Sequence, residues 1–479
     1  MRKVSRRPVG GKPKSFTYHF YKSTHRGAFF IHKLMKYPKV VVASVPFVDE
    51  DTPLVAPALL KAVLKAQDIE CVALDLNIQI YNFLKTRNDK HLFLEFFYQQ
   101  NCHDSIVDDL SMMFDLYVQE IMAHKPDIIG LSLFSEETQC FTVWLSALLK
   151  QQYPKVKIVI GGPGLTTLEN GSTKFPDRLK SLGYIDDYIT GDAEQSLVEY
   201  VKGNKNFPGI NSHQWLPLKD INNQPYPDYS DYRFINYRSP LLHLIDSRGC
   251  VQNCEFCDVI GFWKKFRYKS AESIFKQMLY YIEQYRVYRF QFASSICNGN
   301  LREFKKLVKM IAEYNNDKAK EEQMSWLGSF IIRKAKHHNA ELWKNIKQSN
   351  GFLFCGVESI VPHVRIALGK NFDNNDLDHH LKMAQHYGVP MNLLLIAGYY
   401  TETKEDYEYA KDWFRQHKQF ANNPVQQVQL TLITVLPGTR LEQSVDMEKF
   451  KSGYEQRYNH AKDLQKVIEN CGFHTRTFF

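Results

Sequence analysis

The stretch "LLHLIDSRGCVQNCEFCDV", residues 241–259, sets a short apolar strand directly before a loop bearing Cys250, Cys254 and Cys257. By chance the spacing C-x3-C-x2-C is expected only about 0.003 times in a chain of this length and cysteine content. Three thiolates on one loop imply one shared metal object. A structural zinc ion wants four closed ligands, and His243, Cys297 or Cys355 would have to supply the fourth. A cubane 4Fe–4S cluster on three cysteines leaves one iron open to a substrate or cofactor.

Outward from this loop the pattern alternates. Downstream, strands are expected at 241–246, 288–293, 325–332, 352–357, 391–397 and 427–434. Helices fit at 270–285, 301–315, 338–349, 375–387 and 403–418. Ser270 is placed to cap the first of these, with Ile274, Met278 and Ile282 on one face. Six strand–helix repeats predict a partial (β/α)6 barrel, whose catalytic groups sit on loops at the carboxyl ends of the strands. The three cysteines lie in such a loop.

Upstream, β-branched runs such as "KVVVASV" (39–45), "ECVALDL" (70–76), "DIIGLSLF" (127–134), "KVKIVIGG" (155–162) and "DDYIT" (186–190) alternate with helix-like segments at 53–66, 108–124, 137–151 and 193–203. Continuous apolar strands separated by amphipathic helices predict an α/β, doubly wound, Rossmann-like domain with a parallel sheet covered on both faces. The Pro-, Asn- and Tyr-rich stretch between the two series reads as a connector. The expected division is a basic arm at 1–37, the Rossmann-like domain at 38–204, a linker at 205–240, the barrel at 241–440 and a short extension at 441–479.

The chain has 479 residues, 44% of them apolar, enough for two or three folded domains and against wholesale disorder. No run of eighteen apolar residues is present, so no membrane-spanning helix is expected. Nine cysteines without a regular framework suggest a reducing, cytoplasmic setting. The net charge of +9 is concentrated at the start, where residues 1–48 contain no Asp or Glu. That arm reads as a solvated tail, a transit peptide, or a segment that touches RNA, a lipid headgroup or an acidic partner. Nothing else in the composition favours nucleic acid.

C-x3-C-x-Φ-C after the first strand of a barrel, with Phe256 as Φ, resembles the radical S-adenosylmethionine (SAM) superfamily. The resemblance extends along the second half. "FLFCGVES" (352–359) looks like that family's fourth strand, with Glu358 at its end. "LLIAGYYTET" (394–403) is similar to its fifth-strand segment, matching at Gly398, Glu402 and Thr403 with Tyr400 in place of a proline. "LTLITVLPGT" (430–439) matches the sixth. The end of the second strand, "FQFASSICNGN", departs from the family in lacking an acid near Ser294. The resemblance implies a 4Fe–4S cluster on the three cysteines, with SAM on the open iron and contacted by Phe256, Arg333, Glu358 and Gly398. One electron, from a donor such as flavodoxin or ferredoxin, would cleave SAM to a 5′-deoxyadenosyl radical.

The first half resembles the cobalamin-binding subclass of the same superfamily. The stretches that carry this are "VVVASVPFVDEDTPLVAPALLKAVL", "KPDIIGLSLFSEETQ", "VKIVIGGPGLTT", "YITGDAEQSLVEY" and the linker "NQPYPDYSDY". That likeness implies cobalamin near Ser132, Thr138, Gly161, Gly162, Gly164 and Gly191. Read without it, the glycines serve tight packing. The first loop, 44–58, has no histidine, so cobalt would lack a protein ligand from there. Radical C-methyl transfer to an unactivated carbon of a small molecule or peptide is the leading expectation. The alternatives are cyclisation or rearrangement without methyl transfer, a methylthiotransferase-like enzyme, and a zinc-stabilised nucleic-acid-binding protein. Cys71, Cys102 and Cys140 invite the methylthiotransferase comparison, but Cys71 falls within a strand, and only about forty residues follow LPGT.

Overall fold

The computed structural model describes residues 37–48, 52–165, 174–212, 217–239, 241–337 and 339–478. The basic arm up to residue 36, and 49–51 of the first loop, lie outside the described residues. Five strands, β1 (Val40–Ser44), β2 (Cys71–Asp75), β3 (Ile128–Ser132), β4 (Lys157–Gly161) and β5 (Asp187–Ile189), form a parallel sheet in the order β2-β1-β3-β4-β5. Alternate side chains of β1 enter different cores. Val41 and Ala43 join Phe93, Phe97, Phe114 and Phe141 on one face, while Val40 and Val42 join Leu59, Leu64, Leu197 and Val201 on the other. Both faces are therefore covered, which is why the strands read as unbroken apolar runs. Chain direction in the sheet reverses between β1 and β3, the place where such sheets open a ligand crevice at their carboxyl ends.

Two helices on the first of these faces, Leu76–Leu84 and Lys90–Gln99, were not expected from the sequence. The first starts at Asp75, whose carboxylate accepts from the backbone N–H of Asn77 and Ile78. The second buries Phe93, Phe96 and Phe97.

The second sheet contains β6 (Leu242–Leu244), β9 (Arg289–Phe292), β10 (Ser325–Phe330), β11 (Gly351–Glu358), β12 (Met391–Ala397), β13 (Val425–Leu432) and β14 (Thr475–Phe478). A two-residue antiparallel ribbon, β7 (Ser247–Arg248) and β8 (Arg267–Tyr268), lies between β6 and β9 in the chain. The order is β14-β13-β12-β11-β10-β9-β6, and every pairing is parallel. The six expected barrel strands are present, and a seventh extends them. Residues 441–479 are not merely a short extension: helix Tyr454–Asn470 buries Ala461, Leu464 and Ile468, and β14 pairs with the free edge of β13. Ser270 caps helix Ala271–Tyr285 by accepting from Ser273 N–H.

The connector is packed rather than loose. Tyr229, Tyr232 and Tyr237 are buried in the core of the second sheet. Tyr237 OH donates to Asp75 Oδ2 at 2.6 Å. Lys61 pairs with Asp231 at 2.6 Å and Lys65 with Asp228 at 2.9 Å, so helix Val55–Lys65 is stapled to the connector. Among the described residues no helix is long and apolar enough to cross a membrane.

Burial alone would raise the Asp228 carboxyl, but Ser230, Lys65 and Lys61 outweigh it and hold the group down at about 2. A depressed carboxylate stabilises the fold above its unfolded pKa, and that contribution fades as pH falls towards 2. Asp228→Asn is expected to lower Tm by a few degrees at pH 7, with the gap to the parent narrowing between pH 4 and pH 2. Thermal unfolding across that range checks it.

Candidate active site

The cysteine loop is pinned at both ends by the β7–β8 ribbon. Gly249 has φ +83°, and a Cβ there would lie 2.8 Å from Lys265 O, so the turn into the loop needs glycine. Within it, Cys254 is buried, while Cys250 and Cys257 are half-buried. All three are free thiols.

Distant parts of the barrel hold this loop in place. Glu255 N–H donates to Leu368 O at 3.1 Å, and Leu441 N–H donates to Glu255 O at 3.0 Å. Tyr399 OH donates to the Glu255 carboxylate. Arg440 Nη2 donates to Asn253 O at 2.9 Å. Gly369, at φ +89°, lies so close that a Cβ would be 2.9 Å from Asn253 O and 3.0 Å from Cys254 Cα. The fragments around LPGT and "GYYTET" thus brace the cysteines.

Cations face the thiols. Lys370, buried and 3.0 Å from Glu358 Oε1, acts electrostatically on Cys254 and Cys250. Arg333 acts on Cys250, and Arg440 on Cys254. Burial pushes the Cys257 thiol up to about 12 and raises Cys254, which Lys370 pulls back. This surrounding suits sulfurs that carry negative charge once a metal replaces their protons.

Three thiols on one braced loop suit a cluster that takes one cysteine per iron. No three His, Cys, Asp or Glu side chains converge as a mononuclear site requires, among the described residues. In a cubane each cysteine binds a different iron, so its sulfurs stand further apart. Of the fourth zinc ligands considered above, Cys355 and His243 lie in strands and Cys297 in the turn after β9. Cys355 Sγ contacts His380 Nε2 at 3.4 Å and Met391 Sδ at 3.9 Å, Cys297 packs against β10, and His243 lies within β6.

Of the residues singled out for SAM, Phe256 is half-buried against the barrel core. Arg333 follows β10, its Nη2 donating to Asn298 O at 2.6 Å and Gly299 O at 3.0 Å. Glu358 ends β11 in a left-handed conformation, φ +63°, bound to Lys370. Gly398 ends β12 at φ +84°. Glu402 braces that turn, accepting from Gly398 N–H at 2.8 Å and Tyr399 N–H at 2.9 Å, and burial pushes its carboxyl up to about 7. Thr403 caps helix Lys404–Gln416.

Two residues escaped the sequence reading. Lys370 looked like an ordinary surface lysine; its burial against Glu358 depends on the turn that Gly369 makes. Asp246, at the end of the β6 segment, lies beside Ser294, the place where an acid was missing from the second strand; burial pushes it up to about 7.

On the first sheet, Ser132 ends β3. A Cβ on Gly162 would lie 2.2 Å from Leu133 O, and one on Gly164 2.3 Å from Ser135 O. These glycines let the turn after β4 lie directly on the turn after β3. Gly161 ends β4, and its carbonyl takes the N–H of Leu133 at 2.8 Å. Thr138 is fully buried, its hydroxyl donating to Ser135 O at 2.5 Å. Gly191, at φ +88°, opens the turn after β5. Cys71, Cys102 and Cys140 are not brought together: Cys71 starts β2, Cys102 is exposed, and Cys140 is buried against Phe96 O.

Residues 244–414, from β6 to the helix after β12, match the radical SAM superfamily. Over that segment the protein is similar to radical SAM enzymes. It is 22% identical over 359 residues to an uncharacterized methyltransferase of Pyrococcus horikoshii, covering 71% of this chain and 73% of that one. It is 21% identical over 359 residues to the hopanoid C-3 methylase of Methylococcus capsulatus, covering 67% of this chain and 61% of the relative. Its fold is similar to that of TsrM, a radical SAM methyltransferase from Kitasatospora setae solved with cobalamin and a [4Fe–4S] cluster bound. The TM-score is 0.62 at 14% identity, over 86% of this chain and 78% of TsrM.

Gly369→Ala forces a Cβ into the backbone of Asn253 and Cys254 at a positive φ. It is expected to cut iron bound after anaerobic reconstitution well below the roughly four per chain of one cluster. Iron and sulfide assays check this, with circular dichroism confirming that the fold persists.

Proposed function

We propose that this chain is a cobalamin-dependent radical SAM enzyme that methylates a carbon atom of a small molecule or peptide. The observation that carries the reading is the three-thiol loop, braced at the carboxyl ends of the barrel strands and ringed by Lys370, Arg333 and Arg440. When bound, the cluster and SAM supply one-electron cleavage chemistry and cobalamin supplies the methyl group.

The chain's own residues supply position and charge. Cys250, Cys254 and Cys257 hold the cluster. Lys370 and Arg333 are the cations available to the carboxylate of SAM, while Glu358, fixed by Lys370, is placed for its amino or ribose groups. Phe256 offers a ring face to adenine, and Gly398 would meet SAM through its backbone just after β12, the side where a Cβ would stand being filled by Arg457 and Leu432. Gly161, Gly162 and Gly164 bring the turns after β3 and β4 together, and with Ser132 and Gly191 on the flanking turns they would border a flat, amide-rimmed ligand at the carboxyl end of the first sheet. There the hydroxyl of Thr138 shapes its own turn. Reduction requires a donor of the flavodoxin or ferredoxin type.

The similarity to methyltransferases supports methyl transfer over rearrangement. The test is anaerobic reconstitution with iron, sulfide and hydroxocobalamin, followed by SAM turnover under strong reductant. Both 5′-deoxyadenosine and S-adenosylhomocysteine are expected. Deoxyadenosine alone would favour rearrangement, and neither product would overturn the reading. Lys370→Met is expected to weaken SAM binding on the order of tenfold or more while iron content holds, measured by equilibrium titration.

A further inference from the structure

The β7–β8 ribbon does more than close the cysteine loop. Arg248, two residues before Cys250, reaches across to the turn after β5. Its Nη1 donates to Asp192 Oδ1 at 2.6 Å, and its Nη2 donates to the Glu194 carboxylate. Arg267, on the returning strand, donates to the other Asp192 oxygen and to Leu218 O at 2.9 Å. Leu218 N–H in turn donates to Asp192 Oδ2 at 2.6 Å. The ring of Trp263, six residues after Cys257, lies 5.4 Å from the Arg248 guanidinium and 5.8 Å from that of Arg267. Side-chain exposure is 8% for Arg248, 0% for Asp192, 4% for Glu194 and 11% for Arg267, so bulk water screens little of this network.

Its placement is specific. Asp192 follows Gly191 in the turn between β5 and helix Ala193–Val201, and Glu194 lies in that helix's first turn, at the carboxyl edge of the first sheet. Arg248, Trp263 and Arg267 flank the three cysteines on both sides in the chain. Other links from the first sheet to the second run through the connector: Lys61 to Asp231, Asp75 to Tyr237, and Thr52 to Leu241 O at 2.6 Å. None of those links touches a residue of the cysteine loop. A buried ion pair of this kind fixes register more reliably than it adds stability, because its geometry tolerates only one arrangement.

We propose that Arg248 and Arg267, with Asp192 and Glu194, form a positioning clamp that transmits the state of the turn after β5 to the cysteine loop. The consequence for function rests on the reading above: whatever occupies the carboxyl edge of the first sheet and SAM on the cluster are energetically linked. Such linkage is reciprocal. None of the four residues is a catalytic residue; they act through the loop they hold.

The test uses the full chain and substitutes the partner that belongs to the other sheet. Glu194→Gln keeps an oxygen for Arg248 but removes the charge. Arg248→Lys keeps the charge but cannot bridge two carboxylates. Asp231→Asn is the control, breaking a link behind the interface. In the protein without cofactors, hydrogen exchange of the backbone at 249–258 is expected to rise on the order of tenfold in Glu194→Gln and Arg248→Lys, and to stay at the parent level in Asp231→Asn.

In the reconstituted protein the same two variants are expected to keep their iron, yet shift the electron paramagnetic resonance signal of the reduced cluster. They should also bind SAM on the order of tenfold more weakly. Unchanged exchange at 249–258 in both clamp variants would overturn the clamp, as would an equal rise in Asp231→Asn. A parent chain that takes up no iron would instead overturn the cluster reading and the proposed link to SAM, while the exchange arm still decides whether the clamp exists.

Discussion

A four-iron cube with one corner free of protein needs three sulfurs held at fixed separations, and an eight-residue loop cannot hold them by itself. Such a loop has few internal hydrogen bonds and no core of its own. In this chain Cys257 N–H to Cys254 O, at 3.3 Å, is an internal backbone bond of the cysteine segment, and the rest of the order comes from outside. Leu368 and Gly369 meet it from the end of β11, Tyr399 from the end of β12, and Arg440 and Leu441 from the end of β13. The barrel is needed because it brings strand ends that are far apart in sequence to the same rim.

The same constraint explains the charges. A buried lysine is costly unless something nearby carries the opposite charge. Lys370 is paired with Glu358 and also acts electrostatically on two cysteine sulfurs, so its charge suits a site where thiols become thiolates. Glu358 accepts a left-handed backbone to reach it, a conformation that costs a non-glycine residue of order 1–3 kcal/mol and persists where surrounding contacts over-determine it. Charge, strain and glycine placement therefore coincide at Glu358, Gly369 and Lys370.

Much of this was legible in the sequence, and the parts that were not share a cause. Strands such as Val40–Ser44 and Gly351–Glu358 announce themselves because both faces are covered or because alternate residues are buried. Ser270 was readable as a cap because capping is local. Helix Lys90–Gln99 carried a usable signal, Phe93, Phe96 and Phe97 at helical spacing, inside a run of Gln, Asn and charged residues that masked it. The connector gave no periodic signal at all, since its tyrosines bury themselves one at a time against separate neighbours. Lys370 and Arg248 were invisible for a deeper reason: each is an ordinary basic residue until a carboxylate from another element closes on it, and no spacing in the sequence encodes that meeting.

The ties between the two sheets differ in character from place to place. Along the connector, buried tyrosines and the Lys61 and Lys65 ion pairs join the two sheets, Lys61 buried and Lys65 exposed. At the rim, Arg248 and Arg267 meet Asp192 and Glu194 in a nearly dry pocket against Trp263, where breaking one partner leaves a buried charge unpaired at a cost of about 3–5 kcal/mol. Groups that must react in turn within one cleft need their separation held closely at the reacting edge and only loosely elsewhere. The dry ion pairs lie on that edge, beside the cysteines and the turn after β5.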